Sequence, residues 1–185
     1  FRGDYLMKPG KGKSKGSAFE REVARKLTVW LTGQDKEYFF YRSPSSGAVA
    51  TINEMNGDIS GDIIAVKPEA RALTSIFSIE CKDGYPDAEI MKIFKNNKND
   101  IIQEFWKQCI TDARKANKQG MLIFKKKGFP IIVGIEDGTK ISKVMKDKIS
   151  KNVTISYDIL PHIVFFEFDE FLNSLDKKII RRKNK

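Results

Sequence analysis

Two periodicities alternate along this chain, and their order constrains its fold more than any other feature. Residues 17–32 repeat apolar side chains at helical spacing and are closed by Gly33, suited to the position just past a helix end. Residues 37–42, 62–67 and 75–82 read as three strands, and a loop rich in Ser, Gly and Asn (43–61) follows the first. Residues 84–98 are irregular. Helical spacing returns at 100–118, ended by Gly120, and 121–125 and 130–135 are strand-like again. A helical stretch near 140–150, a strand near 163–168 and a helix near 169–182 complete the chain. The order α-β-β-β-α-β, followed by additions, predicts an α/β fold with helices packed on one sheet. Neither an internal repeat nor a strong linker interrupts it.

Composition narrows the chemistry. Of 185 residues, 41% are hydrophobic and 11% aromatic, so a real core can be buried and a fully disordered chain is excluded. The apolar runs, such as Ile163-Val164-Phe165-Phe166, are far shorter than the ~20 residues a membrane-spanning helix needs. No secretory signal is visible, and a chain opening on Phe1 is expected to lack its true N-terminus. Two cysteines, Cys81 and Cys109, and one histidine, His162, exclude a zinc finger. They point to free thiols and a cytoplasmic setting. Any histidine-based acid–base scheme would rest on His162 alone. The formal net charge is +10, gathered at Lys8, Lys11, Lys13 and Lys15, at Lys125-Lys126-Lys127, and at Lys177, Lys178, Arg181, Arg182, Lys183 and Lys185. Each run alone can be a solvated end or loop. Together they predict a polyanionic partner, of which nucleic acid is favoured.

Three acids stand out by position. At about 100° per residue, Phe19, Val23, Ala24, Leu27, Trp30 and Leu31 fill an arc of roughly 140°, and Glu20 falls inside it. A carboxylate on an apolar stripe needs a cation or metal to offset its desolvation. The alternative is a capping box, because Ser17-x-x-Glu20 has that spacing. In 75–82, Phe77, Ile79 and Cys81 point to one face and Ser78, Glu80 and Lys82 to the other. Alone, Glu80-x-Lys82 reads as a surface ion pair. Asp62 opens the strand Ile63-Ile64-Ala65-Val66 and touches it directly; Asp58 is its rival, and a turn aspartate its plain alternative.

Taken in order, these segments resemble the PD-(D/E)xK nuclease superfamily, and within it the archaeal-type Holliday junction resolvases. Lys15-Gly16-Ser17-Ala18-Phe19-Glu20-Arg21 is similar to that family's basic helix start. Arg42-Ser43-Pro44-Ser45-Ser46-Gly47 is similar to its serine loop. Asp62-Ile63-Ile64-Ala65 and Ile79-Glu80-Cys81-Lys82 follow in the family's order. The resemblance covers about residues 15–135. Gly61 departs from it where the family usually has Pro; the loop after Gly47 is long, 84–99 reads as an insertion, and 140–185 have no counterpart.

The resemblance implies a restriction-endonuclease-like core, αβββαβ, with a central mixed sheet flanked by helices. It would span 17–138, behind a flexible basic arm (1–16) and before a C-terminal extension (139–185) packed on the core and ending in a basic tail. It implies a structure-selective DNA endonuclease that uses Mg²⁺, or Mn²⁺ in its place, and works as a homodimer on four-way junctions. Asp62 and Glu80, with Glu20 directly or through water and the Cys81 carbonyl, would hold the metal. Lys82 would orient or activate water, and Gln108 would support the site unless it is an ordinary solvated glutamine. Lys13, Lys15, Arg42, Ser43 and Ser46 would hold the DNA backbone, although Ser46 also suits a plain turn. Phe165, Phe166, Phe168 and Phe171 would bury either a dimer interface or the monomer core. The rivals are another repair, restriction or phage nuclease of the superfamily, and a basic nucleic-acid-binding protein without catalysis.

Overall fold

The computed structural model describes residues 11–35, 37–43, 60–85, 101–158 and 160–181. The long first helix, α1 (Lys11–Thr32), leads into β1 (Phe40–Arg42) and β2 (Ile63–Ala65). A 3₁₀ turn (Pro68–Ala70) and a one-turn helix, α2 (Arg71–Thr74), precede β3 (Phe77–Asp83). Then come α3 (Ile101–Lys115), β4 (Gln119–Lys125), β5 (Ile132–Glu136), α4 (Lys140–Lys148), β6 (Val153–Ile155), β7 (Ile163–Glu167), α5 (Phe168–Ser174) and α6 (Lys177–Arg181). The expected αβββαβ order is present, and the architecture is restriction-endonuclease-like.

Five strands form a mixed sheet in the order β3-β4-β5-β7-β6, in which only β3 and β4 run parallel. β1 and β2 pair antiparallel beside it. They join the edge of β3 through an isolated parallel bridge between Gly61 and Ile79. Helices cover both faces, so strand residues are apolar on both sides, as a doubly covered sheet requires. Met121, Ile123, Val133, Ile135, Val164 and Phe166 face the core that α1 and α5 complete. Leu122, Phe124, Ile163 and Phe165 face α3 through Ile102, Phe105, Trp106 and Ile110. Each such large side chain contributes about 1.5–3 kcal/mol when fully buried. Trp106, wholly buried, keeps its indole N–H satisfied by donating to Pro161 O at 2.7 Å.

Several expectations change. α1 begins at Lys11, so 11–16 are helix and not a flexible arm, while 1–10 lie outside the described residues. Ser17 therefore sits inside α1 and cannot cap it; the capping-box reading of Glu20 falls. At the other end Gly33 takes the expected role, with φ +75° and its N–H donating to Val29 O at 2.7 Å. The C-terminal segment is part of the sheet as well as packed on it, because β6 and β7 extend it beyond β5. Its expected single helix is two. Glu167 caps α5 by accepting the N–H groups of Asp169 and Glu170, and α6 starts anew with Asp176 accepting the N–H of Lys178. Phe165, Phe166, Phe168 and Phe171 are at most 2% exposed, so they complete the monomer core and are not an interface. His162 sits before β7, where its Nδ1 accepts the Tyr157 N–H at 3.3 Å and its carbonyl that of Asp137, a structural role.

Candidate active site

Asp62 is held by its backbone as firmly as by its side chain. Its N–H donates to Ile79 O (2.7 Å), its carbonyl accepts the Ser43 N–H (2.6 Å), and Oδ2 accepts the Cys81 N–H (2.8 Å). This lays the carboxylate against β3, one residue from Glu80. The approach depends on Gly61. It has φ +79°, and a Cβ there would stand 2.5 Å from Ile79 O and 2.7 Å from Ile79 N. Proline, which locks φ near −65°, cannot adopt this turn, which explains the departure at that position.

Glu80 and Lys82 leave β3 on the face toward α3, opposite Phe77, Ile79 and Cys81. They are not a surface pair: their side chains are 10% and 14% exposed. Lys82 Nζ donates to Glu80 Oε1 at 2.6 Å and to Gln108 Oε1 on α3 at 3.0 Å, and lies 5.5 Å from the centre of the Phe105 ring. An ammonium has three N–H donors, so one remains for the cleft. Gln108 is thus drawn into the site.

Burial, then the charge of Asp62, pushes the Glu80 carboxyl above its ordinary pKa, against the pull of Lys82. Burial also raises Asp62, outweighing the Cys81 N–H and the charges of Lys82 and Arg42. Glu20 on α1 is raised by burial and by Asp62, and its Oε2 lies 3.7 Å from Arg42 Nε. Burial pulls the Lys82 ammonium down, but its bond to Glu80 and the charges of Glu80 and Asp62 outweigh that, so Lys82 stays cationic. A lysine held so donates hydrogen bonds and offsets negative charge. Burial and the neighbouring carboxylates push the Cys81 thiol well up, leaving its backbone carbonyl as the only ligand this residue offers a hard cation.

These groups open on a cleft of about 510 Å³ lined by Gly61, Asp62, Glu80, Gln108, Asp112 and Lys115. A depression of about 450 Å³ between α1 and α5 is lined by Trp30 and Val29 among others, and its Lys26 is already paired with Asp169 at 2.6 Å. The first is where Asp62, Glu80 and Asp112 gather. Among the described residues no three of His, Cys, Asp and Glu converge into a ready metal cage. Mg²⁺ does not need one, since it is held by one or two carboxylates and keeps several waters. Two carboxyls raised by burial, Glu80 by the charge of Asp62 as well, with one lysine reaching Glu80, fit such an ion.

Of the other expected site residues, Arg42 faces Glu20 and Ser43 touches Asp62 through its backbone. Lys13 and Lys15 fall in the opening turns of α1. Ser46 lies outside the described residues, as does Asp58. Two neighbours escaped the sequence reading. Asp112, four residues after Gln108 on the same helix, lines the cleft and pushes Asp62 and Glu80 up; the helical period could have revealed it. Lys118, 5% exposed, donates to Ser60 Oγ at 2.7 Å and so braces the segment leading into Gly61; no local pattern announces it.

A family model described as "Phage putative PDDEXK endonuclease" matches residues 11–182. No curated protein and no solved structure matches the chain. The match runs from the first residue of α1 through the last helix, taking in the aspartate, the Glu-x-Lys strand and the helix that carries Gln108. On that span the chain belongs to this PDDEXK endonuclease family.

Proposed function

We propose that this nuclease is a Mg²⁺-dependent, structure-selective DNA endonuclease that cuts four-way junctions by phosphodiester hydrolysis, with Mn²⁺ able to replace Mg²⁺. The observation that carries the reading is the convergence of Asp62, Glu80 and Lys82 on one cleft, with Gln108 behind the lysine. The junction preference rests on the four segments, 15–21, 42–47, 62–65 and 79–82, that resemble the resolvases in order. A net charge of +10 suits a DNA backbone.

Asp62 and Glu80, with Glu20 and the Cys81 carbonyl, would hold the ion. A bound divalent ion supplies Lewis acidity toward the phosphate and lowers the pKa of an attacking water. The chain's own residues do the rest. Lys82 donates its remaining N–H to the water or to a phosphate oxygen. Glu80 and Gln108 fix its direction, and its charge offsets the negative charge that grows on the phosphorane-like transition state. The water oxygen bonds to phosphorus as the P–O bond to the leaving oxygen breaks, and that oxygen takes up a proton. Arg42 and the serine loop 43–47 would meet the backbone of the cut strand. Two strands of a junction are related by a two-fold, and a homodimer supplies two such sites.

The family match favours a second reading, a phage nuclease acting on DNA of other shape. Cleavage of a synthetic four-way junction beside matched duplex, flap and single strand, with Mg²⁺ and with chelator, separates the readings. Symmetric paired nicks on the junction, from a protein that sediments as a dimer, are the expected result. A monomer cutting every DNA equally would leave a general nuclease, and Mg²⁺-independent binding without cleavage would leave a non-catalytic DNA-binding protein.

A further inference from the structure

β3 and β4 run parallel with Lys82 beside Phe124 and Asp83 beside Lys125, so β4 leaves the sheet at the same end as the lysine of the candidate site. The turn that follows carries Lys125, Lys126 and Lys127 and then Phe129. Lys125 is committed: it donates to Glu22 on α1 at 2.8 Å and lies 5.9 Å from the Phe19 ring centre. Phe129 is not. It is 62% exposed, although its backbone is fixed by an N–H bond to Lys126 O at 3.0 Å and by Pro130 behind it. Lys126 Nζ stands 5.4 Å from the centre of its ring. Lys127 is exposed, and Gly128 turns the chain at φ +83°.

A lone exposed aromatic is ordinary. Three things set this one apart: it is held on a short turn, it is flanked by Lys126 and Lys127, and its turn lies at the end of the sheet where β3 carries Lys82. Surfaces that bind unpaired strands combine a stacking ring with cations that track the backbone. A base could lie on one face of the ring at little entropic cost, because the turn is already ordered.

We propose that the β4–β5 turn is a contact for unpaired DNA, in which Phe129 stacks on a base while Lys126 and Lys127 meet the flanking phosphates. The proposal rests on the nuclease reading for its substrate, and it gives that substrate a feature: exposed bases near the cut. It also gives a role to turn residues 127–129, which are exposed and add nothing to the core.

The test uses the full chain and two DNAs of one sequence, a duplex with a single-stranded tail carrying 2-aminopurine and the fully paired form. Phe129→Ala is expected to weaken binding to the tailed DNA about tenfold and to abolish the 2-aminopurine emission change, with duplex affinity within about twofold of wild type. Phe129→Leu should behave like alanine and Phe129→Tyr like wild type, which separates stacking from bulk. Lys127→Ala should flatten the salt dependence on the tail by about 0.7 in log–log slope. A wild-type signal from Phe129→Ala, or equal loss on both DNAs, overturns the proposal. So does an altered sedimentation coefficient with unchanged DNA binding, which would make the turn a contact between copies. The nuclease reading is judged separately, by the cleavage of Asp62→Asn beside wild type.

Discussion

At the scale of single residues the site is a balance of charges that the bare protein does not settle. Asp62→Asn, Glu80→Gln and Lys82→Ala should each lower cleavage by at least about 100-fold while DNA binding persists, because the lost groups act on the transition state. Gel-shift and nicking assays on the same preparations check this. If Asp58→Asn were silent in place of Asp62→Asn, the assignment would stand; if the reverse held, Asp58 would replace it. Asp62 also predicts a pH effect. Burial raises its pKa in the folded chain, so ionising it there costs more than in the unfolded chain. Below the ordinary carboxylate range, near pH 4, both states are protonated and the cost is absent; it appears as the pH rises through that range and is complete above the folded pKa. In metal-free buffer at pH 7, Asp62→Asn should therefore melt higher than wild type. The gap should close near pH 3.5, and Mg²⁺ should raise the wild type more than the variant. Glu20→Gln is expected to cut activity about tenfold without lowering the melting temperature, since no cap is lost. A drop in melting temperature with full activity would return Glu20 to a structural role.

The elements carry their own test at Gly61. Any Cβ there meets the Ile79 backbone, and φ +79° strains an L-residue. Gly61→Ala should cost at least about 1–3 kcal/mol in denaturant unfolding and displace Asp62. If the variant proved as stable as wild type and fully active, the bridge to β3 would be dispensable. How far the elements were legible follows from what writes them. α1, α3, β3, β4 and β5 carry period in their own residues, and so did Glu20 on its apolar arc and Glu80 beside Lys82. β1 shrank to Phe40–Arg42 and β2 to Ile63–Ala65, because their length is set by pairing with each other and by the bridge at Gly61. β6 was missed: Val153–Ile155 is a strand only because β7 offers it an edge. The start of α1 was missed because Lys-Gly-Lys-Ser-Lys-Gly has weak helical propensity and no apolar stripe. Within the site, the Asp62–Cys81 bond and the Lys118–Ser60 brace join distant parts of the chain, and no local pattern encodes either.

For the whole molecule, +10 of charge makes affinity a function of salt. The logarithm of the binding constant should fall with that of salt by about 0.9 per phosphate contact on duplex DNA. Ending the chain after Arg181 tests whether Arg182, Lys183 and Lys185 are among the contacts; an unchanged slope would show that they are not. A deeper cut is uninformative, because α6 belongs to the core: Ile180 is 1% exposed and Lys177 Nζ donates to Leu31 O at 3.0 Å. That clasp between the last helix and the first has a consequence for synthesis. Every residue of the cleft lies between Glu20 and Ala116, yet the core that α1 joins also takes in Phe166, Phe168, Phe171, Leu172, Leu175 and Ile180. A ribosome adding about 5–20 residues per second makes the cleft segments well before it completes the core they share. The nascent chain therefore carries every side chain of the cleft before α6 exists to close against α1 through the Lys177–Leu31 bond.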